Sequence, residues 1–461
     1  MDRNIATRLP KHIFREYDIR GRVADELTEE VAMAIGMAFG NLCADQGIGT
    51  VLVAGDVRLS TETLRKALNH GLNTGGVDVL DVGIVPTPVL YFAAEHLRHA
   101  AGIVITGSHN PPEFNGLKFV QHYIPFAGAD LQRLYEMVKN KSLKSGTGAS
   151  RKTDVIEPYL KRVLEDVHVH PPIRIGIDCG NGVTGVVAPK LFEDLGCETH
   201  AIHSIPDGTF PNHHPDPVKP ENLRDLIELV RSRELDLGVA FDGDGDRLGV
   251  VTRQGQVIEA DVLMSYFSKS ILTRYQGAKI VFDVKCGRVL PSVVESLGGI
   301  PVMWKTGHTN IKEKIRELNS PMGGEFSGHI CFADRWYGFD DALYSAARLV
   351  ELVSQDSQDL DDYLGSLPQR FSTPEINIAT TDERKFTIVE ELRDNGNFGT
   401  GRVLTVDGLR VDYDDAWGLI RASNTTPNLT MRFEAASNVA LERVKSTFSS
   451  QLKSIAPDLT L

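Results

Sequence analysis

Three aspartates stand at alternate positions in the run DLGVAFDGDGDRLGVV: Asp242, Asp244 and Asp246, separated by glycines and followed by Arg247. Glycine at the intervening positions lets one tight loop turn all three carboxylates toward one point. Such a cluster repels itself unless a hard cation sits among the oxygens. Mg2+ suits the pattern because it takes few protein carboxylates and leaves room for a phosphate oxygen. A calcium loop of the EF-hand type is excluded by its spacing, since the sixth position from Asp242 is Arg247 rather than Gly and the twelfth is Arg253 rather than Glu. The plain alternative is an acidic surface turn. The density of Asp directly after the apolar strand Leu237–Phe241 weighs against it.

A second stretch, GIVITGSHNPPEFNGLK, changes character halfway. Gly102–Thr106 reads as a buried β-branched strand, and the chain then delivers Ser108, His109 and two prolines to one place. Turn residues alone explain a stiff surface loop. A serine hydroxyl beside a metal loop raises phosphoryl transfer instead, because it can carry the group covalently while the cation offsets charge. His109 is not simply the serine's base, because neighbours on extended backbone point to opposite sides; Lys118 or a more distant residue is equally open. The chain holds neither a G-x-x-x-x-G-K-[ST] loop nor a G-x-S-x-G elbow, which argues against P-loop nucleotidases and serine hydrolases. A metal-dependent phosphatase is disfavoured because water must be kept from a phosphoserine.

Two further segments describe a ligand. GGEFSGH offers Glu325 and Ser327 for sugar hydroxyls among glycines that allow close approach. RASNTTPNLTMRFEA lines up Arg421, Ser423, Asn424 and Thr425, with Arg432 beyond, as an anion nest with guanidinium forks. Taken alone, a glycine turn and a polar hairpin explain them as well. WKTGHTNIK (Lys305, His308) and FREYDIRG (Tyr17, Arg20) are weaker signals.

Short apolar runs alternating with amphipathic segments predict an α/β chain whose 461 residues make about three or four domains. A loose echo supports relatedness: β-rich runs lead to Asp56, Asp178 and Asp283, each in a glycine-bearing loop. Boundaries are expected near Lys144–Lys152, Gly255–Asp261 and Gln369–Pro374. Beyond the last, strand-like runs and a closing helix near Val439–Leu452 predict a smaller α+β unit. A formal charge of −13 argues against nucleic-acid and anionic-membrane partners, and no apolar run reaches a membrane span. Five scattered cysteines and the absence of an apolar leader in MDRNIATRLPKHIFREYD lead to the expectation of a cytoplasmic protein without disulfides. The glycosylation patterns at Asn424 and Asn428 are then incidental.

With these pieces in view, the chain resembles the α-D-phosphohexomutase family, most closely its bacterial phosphomannomutase/phosphoglucomutase branch. FREYDIRG, TGSHNPPEFNGLK, DGDGDR, WKTGH, GEFSGH and RASNTTP occur in the family's order and spacing, nearly end to end. The resemblance implies four domains around a central cleft: three related α/β domains at 1–150 with the serine loop, 151–256 with the metal loop and 257–369 with the sugar loop, and a C-terminal α+β domain at 370–461 with the phosphate loop. It implies reversible interconversion of mannose or glucose 1- and 6-phosphates through phosphoserine 108 and a hexose 1,6-bisphosphate, which also serves as activator. Ser108, Asp242, Asp244 and Asp246 would hold Mg2+. Glu325 and Ser327 would read the sugar, and Arg421, Ser423, Asn424 and Thr425 would clamp the distal phosphate. Tyr17 and Lys285 join the binding set, and Arg20, His109, Lys118, Arg247, His308 and His329 the catalytic set, with proton transfer lying among Lys118, His308 and His329. The implied partners are small sugar phosphates acting on a monomer. Phosphoglucosamine mutases usually carry Gln where Phe326 stands and lack the Thr-Gly before Ser108, which favours mannose and glucose here. The remaining alternative is a catalytically silent sugar-phosphate binder, against which Ser108, the three Asp and Lys118 all argue.

Overall fold

The computed structural model describes residues 9–460. The first eight residues, part of the stretch read as lacking a leader, lie outside them. No helix among the described residues is long and apolar enough to cross a membrane. Four sheets follow one another along the chain, and the first three repeat one strand plan.

In the first sheet, β1 (Ile19–Arg22), β2 (Thr50–Gly55), β3 (Asp78–Ile84), β4 (Ala101–Ile105), β5 (Phe114–Gln121) and β7 (Ser150–Lys152) run in the order β1-β5-β4-β2-β3-β7, and the short β6 (Ile124–Pro125) pairs with β5. The second holds β8 (Arg174–Asp178), β9 (Glu198–Ile202), β10 (Leu237–Phe241), β11 (Leu248–Thr252) and β12 (Val257–Ile258) in the order β12-β11-β10-β8-β9. The third holds β13 (Lys279–Asp283), β14 (Ile300–Trp304), β15 (Met322–Gly324) and β16 (Ile330–Phe332) in the order β14-β13-β15-β16. In each, a first strand lies between two parallel partners (β3 and β4, β9 and β10, β14 and β15), and a fourth strand returns antiparallel. Parallel strands are covered on both faces and therefore read as continuous apolar runs, as AGIVI and LGVAF do. The three aspartates of the sequence echo all stand at the end of the first strand.

Two edge strands end inside the boundary stretches read from composition, Lys144–Lys152 and Gly255–Asp261. β7 pairs with β3 up to Lys152, and β12 pairs with β11 up to Ile258.

The fourth sheet is antiparallel, with β17 (Phe371–Ser372), β18 (Ile376–Ala379), β19 (Arg402–Leu404), β20 (Leu409–Asp412), β21 (Ala416–Ala422) and β22 (Asn428–Ala435). The closing helix, Asn438–Ile455, begins at Ser437, whose side chain accepts from the Ala440 amide. A second helix, Arg384–Asn395, was not apparent in the sequence reading because its apolar stripe is only Ile388, Val389 and Leu392.

A continuous apolar core runs from Leu52 and Val104 of the first sheet through Ile177 and Val239 to Ile280 and Phe282 of the third. The fourth sheet has its own core around Leu409, Met431 and Phe448. Under the first sheet, the helices Glu29–Asp45 and Thr61–Thr74 cross at glycines, where a Cβ on Gly71 would lie 2.1 Å from the Met33 carbonyl oxygen. Gly71→Ala should therefore strain this crossing by about 1–3 kcal/mol. Calorimetry should show a lower first unfolding temperature; an unchanged temperature would mean the crossing is looser than described.

Candidate active site

The third and fourth strands of each repeat are joined at the carboxyl end of the parallel strands, beside the point where strand order reverses, the usual ligand position in open α/β sheets. The three joining loops carry the three motifs: Ser108 between β4 and β5, Asp242–Arg247 between β10 and β11, and Glu325–His329 between β15 and β16. The aspartate ending the first strand braces the loop in two repeats. Asp56 accepts from the Gly107 amide at 3.2 Å, and Asp283 from the Phe326 amide at 3.0 Å.

Ser108 is buried, and its Oγ donates to Asp242 Oδ2 at 2.8 Å. Its φ is +49°, a left-handed conformation that costs a non-glycine residue energy. That geometry corrects the expectation for His109. The backbone is not extended, so the two neighbouring side chains reach the same side, with His109 Nδ1 3.2 Å from Ser108 Oγ. Gly243 is required by close approach, since a Cβ there would lie 2.4 Å from the Ser108 carbonyl oxygen.

Asp242, Asp244 and Asp246 are fully buried, with ligand oxygens within 4.8 Å of one another. Asp242 Oδ1 accepts from the amides of Gly245, Asp246 and Arg247 at 3.0 to 3.2 Å. Lys118, on β5, donates to Asp244 at 2.7 Å and Asp246 at 2.5 Å, and Thr87 of the first domain donates to Asp244 at 2.5 Å. Burial, then the Asp246 and Asp244 charges, push the Asp242 carboxyl well above its usual range. Burial would raise Asp246 too, but Lys118, His329 and Arg247 outweigh it and hold that carboxyl low. For Lys118, burial opposes the charge, and the two aspartates override it, so the ammonium is held well above its ordinary value. Asp244 Oδ1 is buried without a hydrogen-bond partner. Asp246 Oδ1 is buried without one too, and three carboxylates gathered this closely, two of them with an unsatisfied oxygen, fit a hard divalent cation.

Around this centre Arg20 donates to Asn110 at 2.7 Å and Asp18 at 2.6 Å, while Arg247 lies 3.8 Å from Asp216. Burial, with the Arg247 and Arg20 charges adding, depresses His109 well below the ordinary imidazole value. On the sugar-loop side His329 lies 3.3 Å from Asp246, 2.8 Å from Ser327 Oγ and 3.3 Å from Glu325. It stacks on His308 with centroids 5.5 Å apart. His308 faces Asp340 at 3.2 Å, and Lys312 donates to the other Asp340 oxygen at 2.7 Å. Burial and then Lys312 lower His308 to about 4. Glu325 accepts from the Gly307 amide at 2.6 Å, and burial raises it, with Asp283 adding.

The fourth domain closes the ring of groups. Arg421 Nε donates to Asp407 at 2.9 Å, and Ser423 Oγ accepts from the amides of Thr425 and Thr426. Tyr17 accepts from Asn424 Nδ2 at 2.6 Å and donates to the Thr306 carbonyl at 2.8 Å. Lys285 pairs with Glu375 at 2.6 Å. Arg432 is not part of the anion nest. It is fully buried, stacked 3.6 Å from the Phe326 ring centroid and bonded to Glu259 and the Lys285 carbonyl. Arg58, Thr87, Asp340 and Asp407 escaped sequence reading; only Arg58 had a local signal, two residues after the echoed Asp56.

A buried serine against a carboxylate cluster fitted to a divalent cation, ringed by arginines, defines a phosphoryl-transfer site. Successive segments match the phosphoglucomutase/phosphomannomutase family models: α/β/α domain I over 11–145, domain II over 157–255, domain III over 259–371 and the C-terminal domain over 375–451. The chain is 49% identical over 454 residues to a phosphomannomutase/phosphoglucomutase of Pseudomonas aeruginosa, covering 98% of each. It is 42% identical to a phosphoglucomutase of Neisseria gonorrhoeae over 97% of this chain and 98% of that one. The crystal structure of a phosphoglucomutase/phosphomannomutase family protein from Burkholderia thailandensis superimposes with a TM-score of 0.92 at 44% identity, covering 98% of this chain and 100% of that one. The chain belongs to the α-D-phosphohexomutase family and is a hexose-phosphate mutase.

Gly243→Ala tests the approach of the two loops. It should cut turnover about ten- to a hundredfold, because displacements near 1 Å are costly in positioned catalysis. Steady-state kinetics alongside melting temperature would check this; full turnover would show the loops need not touch.

Proposed function

We propose that this chain interconverts hexose 1-phosphate and hexose 6-phosphate, with glucose and mannose phosphates as substrates, through phosphoserine 108. The observation that carries this reading is the 2.8 Å contact between Ser108 Oγ and the carboxylate cluster. In the first half-reaction a hydroxyl oxygen of the sugar monophosphate bonds to the phosphorus of phosphoserine 108. The P–Oγ bond breaks with its electrons on Oγ, and the proton of the sugar hydroxyl ends on Ser108. The resulting 1,6-bisphosphate turns around and returns its other phosphoryl group to Ser108 by the reverse exchange.

Asp242, Asp244, Asp246 and Ser108 would hold Mg2+, which offsets the negative charge that develops during transfer. Lys118, bound to two of these carboxylates, supplies positive charge to the same place. Arg20, Arg247 and His109 surround the transferring phosphate. His308 and His329, stacked beside the metal loop, are the groups positioned to move the proton. Glu325, Ser327 and Lys285 bind the sugar, and Arg421, Ser423, Asn424, Thr425 and Tyr17 bind the distal phosphate. A hexose 1,6-bisphosphate restores phosphoserine and so acts as activator. The protein works as a cytoplasmic monomer with domains at 1–150, 151–256, 257–369 and 370–461, the first two sheets extending to Lys152 and Ile258.

Peptide mapping should find phosphate on Ser108 after incubation with glucose 1,6-bisphosphate, and Ser108→Ala should bind sugar phosphate without turning it over. Chelation should abolish turnover and Mg2+ restore it. Phosphate on other residues only, or full turnover in chelator, would overturn the reading. Activities on glucose, mannose, glucosamine and N-acetylglucosamine 1-phosphates, measured side by side, separate the hexose from the hexosamine branch.

Arg421 meets each phosphate of the intermediate in turn. A charge-assisted contact of this kind is worth about 1.5–3 kcal/mol. Arg421→Ala should lower kcat/KM about ten- to a hundredfold for both sugars. A defect confined to one sugar would show that Arg421 reads the ring.

A further inference from the structure

Within the loop that carries Ser108, the backbone closes on itself through the Asn110 amide to the Gly107 carbonyl and the Phe114 amide to the Pro111 carbonyl, and its further donors come from elsewhere. One side chain supplies them. Arg58 Nη1 donates to the carbonyls of Pro111 at 2.6 Å and Phe114 at 2.9 Å, and Nη2 to those of Ser108 at 2.8 Å and Asn110 at 2.5 Å. Arg58 is 2% exposed, with its Nε 3.2 Å from Asp56 Oδ2. Asp56 in turn accepts from the Arg58 amide at 3.0 Å and from Thr61 Oγ1 at 2.6 Å. The loop is thus held at its entrance by Asp56 through Gly107 and around its turn by the guanidinium. Gly107 lies flat on that guanidinium, where a Cβ would come within 2.6 Å of Cζ.

The second domain covers the assembly. Phe210 lies over the Arg58 guanidinium at 5.2 Å, and a Cβ on Gly208 would stand 2.7 Å from the Arg58 Cα. The residue that shapes the serine loop is therefore also the one on which the metal loop's domain is seated.

We propose that Arg58 is a positioning residue for phosphoryl transfer at Ser108: its four carbonyl contacts hold Ser108 in the left-handed conformation that aims Oγ at Asp242. The proposal rests on the reading of Ser108 as the phosphoryl carrier. Only a planar fork of five donors can serve four carbonyls spread along one loop; lysine, with three donors at a single point, cannot span them. Arg58 makes no hydrogen bond or ion pair with the reacting oxygen or with Asp242, Asp244 and Asp246, so its loss should misplace Oγ while leaving the sugar and distal-phosphate contacts in place.

The test uses the full chain with Mg2+. Glucose 1,6-bisphosphate is added to dephosphorylated protein, and transfer is followed by intact mass: the Oγ–P bond forms, the P–O bond to the sugar breaks, and the Ser108 hydroxyl proton ends on the sugar oxygen. In Arg58→Lys both this rate and kcat should fall about ten- to a hundredfold, with KM for glucose 1-phosphate changed less than about threefold. If Arg58→Lys does not fold, Gly107→Ala, which presses a methyl group against the guanidinium, should give the same kcat-selective loss when assayed well below its own melting temperature. Wild-type protein that never gains phosphate on Ser108 would overturn the carrier reading, and this proposal with it. A wild type that is labelled while the folded variants react equally fast, or lose kcat and substrate binding together, would overturn the role of Arg58 alone.

Discussion

Three ionised carboxylates cannot share one buried pocket without positive charge among them, and much of this molecule can be understood as the answer to that constraint. Lys118 reaches the cluster from the first sheet, His329 from the third, and backbone amides of the loop itself face Asp242. None of these partners lies on the strand that delivers the aspartates. Arg247 and the loop amides offset part of the charge from within the second domain, Lys118 and His329 add theirs only when its neighbours pack against it, and the apolar core running through the first three domains holds those neighbours in register.

The repeat explains how one chain brings unlike chemistry to a single place. A strand plan in which the third strand stops beside the first leaves a loop at the point where strand order reverses. Used three times, it yields three loops at equivalent positions, and each copy has specialised: a hydroxyl, a carboxylate cluster, and a carboxylate with an imidazole. The braces have diverged less than the loops, since Asp56 and Asp283 hold the following loop by the same kind of amide contact.

Local features were legible in the sequence. The carboxylates of Asp242, Asp244 and Asp246 are gathered within one short glycine-spaced loop, so their meeting could be read from spacing, and β10 begins and ends where the apolar run does. Ser108 was legible as a candidate, but its partner geometry was not, because a single positive φ decides where His109 points and no residue type announces it. Contacts across long stretches of chain were invisible: Thr87 meets Asp244 across 157 positions, and Arg58 meets Asn110 across 52. The place of Arg432, beyond the phosphate loop, was not legible because a strand alternates its faces, and the sequence does not say which face meets the cleft and which meets Phe326. The helix Arg384–Asn395 was missed among the strand signals of the tail.

The seam between the first and last domains has a consequence for how long a ligand stays. The third and fourth domains are joined through buried Trp417 and Leu419 against Val284, and through Arg432. Where the first domain meets the fourth, the contacts are polar: Tyr17 with Asn424, and Arg15 with Asp382 at 3.5 Å near the surface. An exposed ion pair is worth about 0–1 kcal/mol and a neutral hydrogen bond about 0.5–1.5 kcal/mol. No apolar cluster among the described residues joins the first domain to the fourth, so parting this seam would forfeit less than parting the third from the fourth. On the proposed reading, a ligand bearing a phosphate at each end would engage both sides of this weak clasp at once and so supply the strength that the protein's own contacts lack.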